Sequence, residues 1–226
     1  MRKRFLVLLA LLFFVPGVAP TQAGPDEARE RNELGVRLLK QGKAKEAILE
    51  FQKALKLKPD YATARLNLAY AYDLQGQVDE AMAEYEKAIE LEPGNSLVHS
   101  NLGVLYDKKG LYDRAILEFE KAVQIDPTSA TALANLERAK KSQAVVAERV
   151  QQLAQAKKEA EGYPKNPLAA YKLGRLHAFY GDKDQAIEWI MKALELGYDD
   201  FDYLKKDPAL QGLRDDSRFI RLLPAR

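Results

Sequence analysis

Glycine recurs at Gly42, Gly76 and Gly110, and proline at Pro59, Pro93 and Pro127, so two unrelated punctuation residues keep one spacing of 34. A chain marked in this way folds as a tandem array of small units and not around one continuous core. Alanines keep the same beat at Ala47, Ala81 and Ala115 and again at Ala54, Ala88 and Ala122, with aromatic rings at Phe51, Tyr85 and Phe119. Within each unit, apolar residues at helical spacing run up to the glycine, resume after it and stop at the proline, which reads as helix, turn, helix. The two alanine positions let the second helix approach the first closely, and the ring fills the space between them. An amphipathic helix pair buries its face only by stacking on the next pair. Identical offsets between units then generate an all-α superhelix with a concave inner face.

These residues resemble the tetratricopeptide repeat. The second unit reads Leu68-Ala69, Tyr72, Gly76, Ala81, Tyr85, Ala88, Pro93; the third reads Leu102-Gly103, Tyr106, Gly110, Ala115, Phe119, Ala122, Pro127. The first follows with Leu34-Gly35, Leu38, Gly42, Ala47, Phe51, Ala54 and Pro59. The resemblance implies a right-handed superhelix with units over 28–61, 62–95 and 96–129 and a binding wall made by the first helix of each unit. One departure is shared, because the family's frequent tryptophan position holds Arg31, Arg65 and His99. Their long stems are expected to cover the same gap.

A further unit begins near Pro167, as Leu173-Gly174, His177, Gly181, Ala186, Ile190 and Ala193, and is expected to span 167–200. Between them, Ser129 to Glu161 contains neither glycine nor proline, which predicts a long bridging helix or a degenerate fourth repeat over 130–166. Ala132, Leu136, Ala139, Gln143, Val146, Val150, Leu153, Lys157 and Ala160 fall at alternating steps of four and three, the spacing of a coiled-coil seam. That seam offers dimerisation or packing inside the chain as alternatives. The last segment, 201–226, carries Phe201, Tyr203, Leu204, Leu210, Leu213, Phe219, Leu222 and Leu223, enough apolar surface to cap the final repeat.

The N-terminus reads as a secretory signal: a basic start at Arg2, Lys3 and Arg4, an apolar run from Phe5 to Val15, and a small-residue exit at Thr21-Gln22-Ala23. Cleavage is expected after Ala23, which places the protein in the periplasm or outside the cell. The alternative, an uncleaved N-terminal anchor, meets an apolar run well short of the roughly 20 residues that span hydrocarbon. Without the leader the chain carries 32 basic against 33 acidic residues, a balance that implies no nucleic-acid partner; no stable membrane insertion of the mature chain is expected either. The absence of cysteine excludes disulfides, thiolate metal sites and a cysteine nucleophile.

No chemistry has a visible seat. His99 and His177 are the two histidines, neither lies in a metal-binding helix motif, and no phosphate-cradling or dinucleotide fingerprint occurs. Asp182 and Asp184 open like a calcium loop, but Ala186 and Ile187 break the pattern, so a helix cap is expected there. The charges of Lys43 to Lys58 and Asp79 to Glu92 read as solvated pairs on the outer faces of the second helices. Neither a cofactor nor a metal is expected, and the chain is read as a non-enzyme.

The resemblance places sixth-position residues of each unit on the concave wall. There stand Asn67, Asn101 and Asn135, a ladder whose amides could pair with the backbone of an extended peptide or instead hydrogen-bond to the adjoining repeat. Thr63, Tyr70, Leu74, Leu97, Val104 and Lys108 flank them as further candidate peptide-binding residues. Relatives that clamp a carboxylate-terminated tail use lysine, arginine and asparagine at positions held here by Asn32, Val36, Asn67, Leu97 and Asn101, of which Asn67 alone fits. The expected function is a scaffold or adaptor for a protein or peptide partner, set by family resemblance in cell-envelope assembly or secretion. The alternatives are a self-associating structural protein using 129–161, or a non-catalytic subunit of an enzyme complex.

Overall fold

The glycine turns set the architecture of the computed structural model, which describes residues 25–224; the expected leader over 1–23 lies outside them. Gly42, Gly76, Gly110 and Gly181 adopt φ between 72° and 81°, the left-handed region that a side chain resists. In each case the N–H that follows reaches back to close the preceding helix: Lys43 to the Leu38 carbonyl, Gln77 to Tyr72, Leu111 to Tyr106 and Asp182 to His177, all at 2.9–3.0 Å. This is the Schellman closure, which satisfies carbonyls that a helix end otherwise leaves orphaned.

The helices so delimited are α1 (Pro25–Lys40), α2 (Ala44–Leu57), α3 (Ala62–Leu74), α4 (Val78–Leu91), α5 (Ser96–Lys108) and α6 (Tyr112–Ile125). Then come α7 (Ala130–Gly162), α8 (Pro167–Phe179), α9 (Lys183–Glu195), α10 (Phe201–Lys206) and α11 (Ser217–Leu222). The chain divides into two compact units, one ending at Leu136 and one beginning at Glu137. The fold is all-α, without a strand among the described residues. No helix among the described residues is long and apolar enough to cross a membrane.

In the first unit α1 pairs with α2, α3 with α4 and α5 with α6; these hairpins nest through α2 on α3 and α4 on α5, and α1 also touches α3. Phe51, Tyr85 and Phe119 are fully buried, as are the alanines at the two repeating positions. The approach is close enough to dictate sequence. A methyl group built on Gly35 would lie 2.5 Å from the Phe51 ring, and one on Gly103 would lie 2.7 Å from Phe119. Both distances are far inside van der Waals contact.

Residues 130–162 form one unbroken helix of 33 residues, about 50 Å long. Its heptad seam is not a free apolar stripe. Ala132, Ala139 and Ala160 are buried, whereas Val146 and Val150 at its centre are 43% and 60% exposed.

In the second unit α8 and α9 form a hairpin, on which the C-terminal segment closes: a 3-10 turn over Pro208–Leu213 packs on α8, and α11 on α9. Leu204, Leu210, Leu213 and Phe219 are buried against Tyr171, Ile187 and Ile190. One charge anchors this closure. The Asp207 side chain is wholly buried and accepts hydrogen bonds from the Tyr171 hydroxyl at 2.6 Å, Arg175 Nε at 2.7 Å and the Ala209 N–H at 2.9 Å. The Tyr171 ring stacks on Tyr198 with centroids 4.4 Å apart.

Burial alone would raise the Asp207 pKa, but the bonds from Tyr171, Ala209 and Arg175 outweigh it and hold the carboxyl below its ordinary 3.8. A carboxyl depressed by folding contributes stability that is complete above its unfolded value and is lost as pH falls through the folded one. Asp207→Ala, which orphans the Tyr171 hydroxyl and the Ala209 N–H, is expected to destabilise the second unit by about 2–3 kcal/mol. Trp189, the one tryptophan of the chain, packs in this core and reports its unfolding by fluorescence. The native chain should lose urea resistance below about pH 4, and the variant should lose less over the same interval.

Candidate functional site

The positions that hold Arg31, Arg65 and His99 do more than fill a gap. Each reaches across its hairpin to a glutamate 19 residues later: Arg31 to Glu50 at 3.3 Å, Arg65 to Glu84 at 2.8 Å, and His99 Nδ1 to Glu118 at 2.6 Å. A lysine three residues beyond completes each contact, with Lys53, Lys87 and Lys121 donating at 2.6, 2.7 and 2.9 Å. Arg65 and His99 also bond the carbonyls of Pro59 and Pro93, the residues that end the preceding helices, at 2.8 and 3.0 Å.

Glu50 and Glu118 are buried and Glu84 is half-buried, so Glu50 and Glu84 are not the solvated outer-face charges expected from the sequence. They lie where the two helices of a hairpin face each other, shielded from water by the stems around them. The Lys53 ammonium, together with Arg31, holds the Glu50 carboxyl below its usual range against the opposing effect of burial. His99 and His177 both serve such internal contacts, His177 Nδ1 lying 3.3 Å from Asp182. Asp182 caps α9 by accepting the Gln185 N–H. No group of three potential metal ligands occurs among the described residues.

With those charges engaged, the first helices of the three hairpins present a wall. Polar contacts join neighbouring helices along it: Asn67 Nδ2 donates to Asn32 Oδ1 at 2.9 Å between α3 and α1, and Lys108 Nζ grips both Asp73 oxygens at 2.8 and 3.1 Å between α5 and α3. Asn101 turns elsewhere, its Nδ2 donating to the Tyr85 hydroxyl at 3.2 Å. Burial pushes the Tyr85 hydroxyl well above its usual pKa, so it remains a neutral partner. Asn67 and Asn101 thus each bond to the preceding hairpin, while Asn135 sits half-buried on α7.

Tyr70, Leu74 and Leu97 stand 45%, 52% and 56% exposed on helices whose other large apolar side chains are mostly buried. Thr63 and Lys108 are also exposed, and Val104 is half-buried. Tyr70 and Leu74 are one turn apart on α3, so they share a face. The wall therefore offers bulky apolar groups, partly engaged amides and one closed ion pair.

Nested helical hairpins with such a wall define the class of helical-repeat proteins. The particular repeat follows from comparison: residues 38–100 and 74–140 match one tetratricopeptide-repeat family model and residues 168–197 match another, so the chain carries tetratricopeptide repeats. No curated protein matches it in sequence. Among solved structures it is similar to the first tetratricopeptide domain of human RPAP3, at 24% identity and a TM-score of 0.52 over 54% of this chain and 96% of that one. The first such domain of Spaghetti (RPAP3), bound to the HSP90 peptide SRMEEVD, is similar at 22% identity and a TM-score of 0.53 over 55% and 98% of the two chains. The Sgt2 domain of Aspergillus fumigatus gives 23% and 0.53 over 57% and 86%. At these identities the likeness is one of fold.

Removing one member of a cross-hairpin contact tests its weight. Glu84→Ala leaves the Arg65 guanidinium, a fifth exposed at most and with its Nε already unpartnered, only the Pro59 carbonyl. A loss of about 1–3 kcal/mol is expected in urea unfolding followed by circular dichroism. A change below about 0.5 kcal/mol would reduce the contact to an ordinary surface pair.

Proposed function

We propose that this chain is an exported, non-catalytic scaffold that holds a peptide or protein surface against the α1–α3–α5 wall in the service of cell-envelope assembly or secretion. The exposure of Tyr70, Leu74 and Leu97 on that wall carries the reading, because large apolar side chains left in water along one wall are what an interaction surface offers. The fold agrees with it, since the similar Spaghetti domain is bound to a peptide. Export rests on the basic start, apolar run and small-residue exit of residues 1–23. The setting in envelope assembly or secretion rests on family resemblance.

The wall is tested by placing a photo-crosslinking residue at Leu97 and, as control, at Leu49, which is equally exposed on α2. In the native host, position 97 should give a discrete adduct that position 49 does not. Equal labelling from both would remove the wall as the binding surface. If Asn67→Ala with Asn101→Ala lowers the melting temperature yet leaves the adduct unchanged, the two amides serve packing and the apolar groups bind. N-terminal sequencing of the cell-free protein tests the leader, and a chain beginning at Gly24 is expected.

One observation favours a second reading. Val145, Val146 and Val150 lie within two turns of α7 at 64%, 43% and 60% exposure, which a second copy of the helix could cover. Light scattering that gives a monomer mass independent of concentration removes it.

A further inference from the structure

We infer that the α1–α3–α5 wall selects a neutral, internal peptide segment anchored by apolar side chains and rejects acidic, carboxylate-terminated tails. This inference rests on the reading of the wall as a peptide-binding surface and names the ligand it takes.

The argument is one of available charge. A carboxylate is held in a groove when a cation or several free N–H groups meet it, and without them it forfeits its hydration for nothing. Cations on these three helices are already closed. Arg29 bonds Glu33 at 2.9 Å, Arg31 bonds Glu27 and Glu50, Arg65 bonds Glu84, and Lys108 bonds Asp73 through both oxygens. Lys109, at the end of α5, pairs with Asp79 at 2.5 Å. Two cations are left: Arg37 lines a cleft of about 430 Å³ with Glu27, Glu30 and Glu33, and Lys40 is exposed at the thirteenth position of the first unit, in register with Leu74 and Lys108. Beside α3 and α5 an incoming acid would have to break an existing pair to gain a new one, and Lys40 on α1 supplies a single cation to a tail that carries several carboxylates.

What α3 and α5 leave open on the wall is uncharged. Leu97 occupies the second position of its unit, and Tyr70 and Leu74 the ninth and thirteenth of theirs. Along the helix axis the second position and the thirteenth are eleven residues apart, about 16 Å at 1.5 Å per residue, and because Leu97 is on α5 and Leu74 on α3 the side-by-side spacing of the helices adds to that. The span suits an extended segment of at least about five residues. The amides of Asn67 and Asn101 each give one N–H to an internal partner and keep a carbonyl and a second N–H. A donor and an acceptor left on one amide match the carbonyl and N–H of a peptide backbone, which every internal segment has. Affinity would come from burying Tyr70, Leu74 and Leu97 under two or three apolar side chains, with the backbone fixing the direction.

The experiment displays two peptide libraries against the purified full chain, one of internal segments flanked on both sides and one of free C-terminal tails, and measures SRMEEVD separately with a free and an amidated end. Selection of neutral internal segments with Leu, Phe or Tyr is expected. Their affinity should change less than about twofold between low and physiological salt, because uncharged contacts are not screened. Tyr70→Ala and Leu97→Ala, which melt like the parent, should each weaken these segments about tenfold, as truncating an anchor does.

SRMEEVD binding that disappears on amidation, or enrichment of acidic tails, would overturn the charge argument while leaving the wall as the binding site. If selected peptides bind the Tyr70→Ala and Leu97→Ala chains as tightly as the parent, or nothing is selected from either library, the reading of the wall itself fails and the inference falls with it.

Discussion

One contact governs this molecule: a residue with almost no side chain on the first helix of a hairpin lies directly beneath a bulky side chain of the second. Gly35 meets Phe51, Gly103 meets Phe119 and Gly174 meets Ile190, in each case so closely that a single added carbon would overlap. That approach fixes the separation and rotation of the two helices. A fixed hairpin presents the same two faces every time, so the next hairpin docks in the same register. The charge contacts between hairpin helices also follow from it. Arg31 meets Glu50, Arg65 meets Glu84 and His99 meets Glu118 only because the helices are held at one distance in all three pairs.

The hairpins were legible in the sequence because their determinants are local. A glycine at positive φ and a proline that cannot continue a helix act on their own neighbours, whatever the rest of the chain does. The cross-hairpin contacts were missed for the opposite reason. Their partners are 19 residues apart and on different helices, so following each helix separately places Glu50 and Glu84 on solvated faces and gives no reason to single out Glu118. The signal was present all the same, since those glutamates and Lys53, Lys87 and Lys121 repeat at the spacing of the glycines. Charged residues on a solvated face have little reason to keep such a beat, and charges that meet a neighbour do.

The wall was legible to the level of which positions face together, because helical offsets decide that, but not to the level of which atoms meet. Asn67 and Asn101 occupy one unit position and have different partners. The residue opposite Asn67 is Asn32, whereas the equivalent place in the next unit is filled by Leu66, which offers nothing to an amide. Asn101 therefore turns to Tyr85, and only the second unit makes this possible, because Phe51 and Phe119 lack the hydroxyl. A ladder of identical residues need not be a ladder of identical contacts. The sequence pattern also could not show that the apolar groups beside the amides remain in water while the nearby charges are consumed in pairs.

The same geometry recurs in the second unit, where the segment after α9 packs on α8 and α9. Asn32 and Lys108 both bond across neighbouring first helices, to Asn67 and Asp73, residues 35 places away. In the second unit Tyr171 stands at the unit position of Asn32, and its partner Asp207 lies 36 residues on, in a segment that is no longer a repeat. Arg175, four residues further along α8, grips the same carboxylate. The closing segment thus supplies the polar contact that another first helix would have made, and Leu210, Leu213 and Phe219 supply its apolar cover. A wholly buried carboxylate is costly unless both oxygens are met, and here a hydroxyl and a guanidinium meet one and a backbone N–H the other. That requirement ties the tail to one register on α8, so a short segment without a repeat of its own can close the array in a single way.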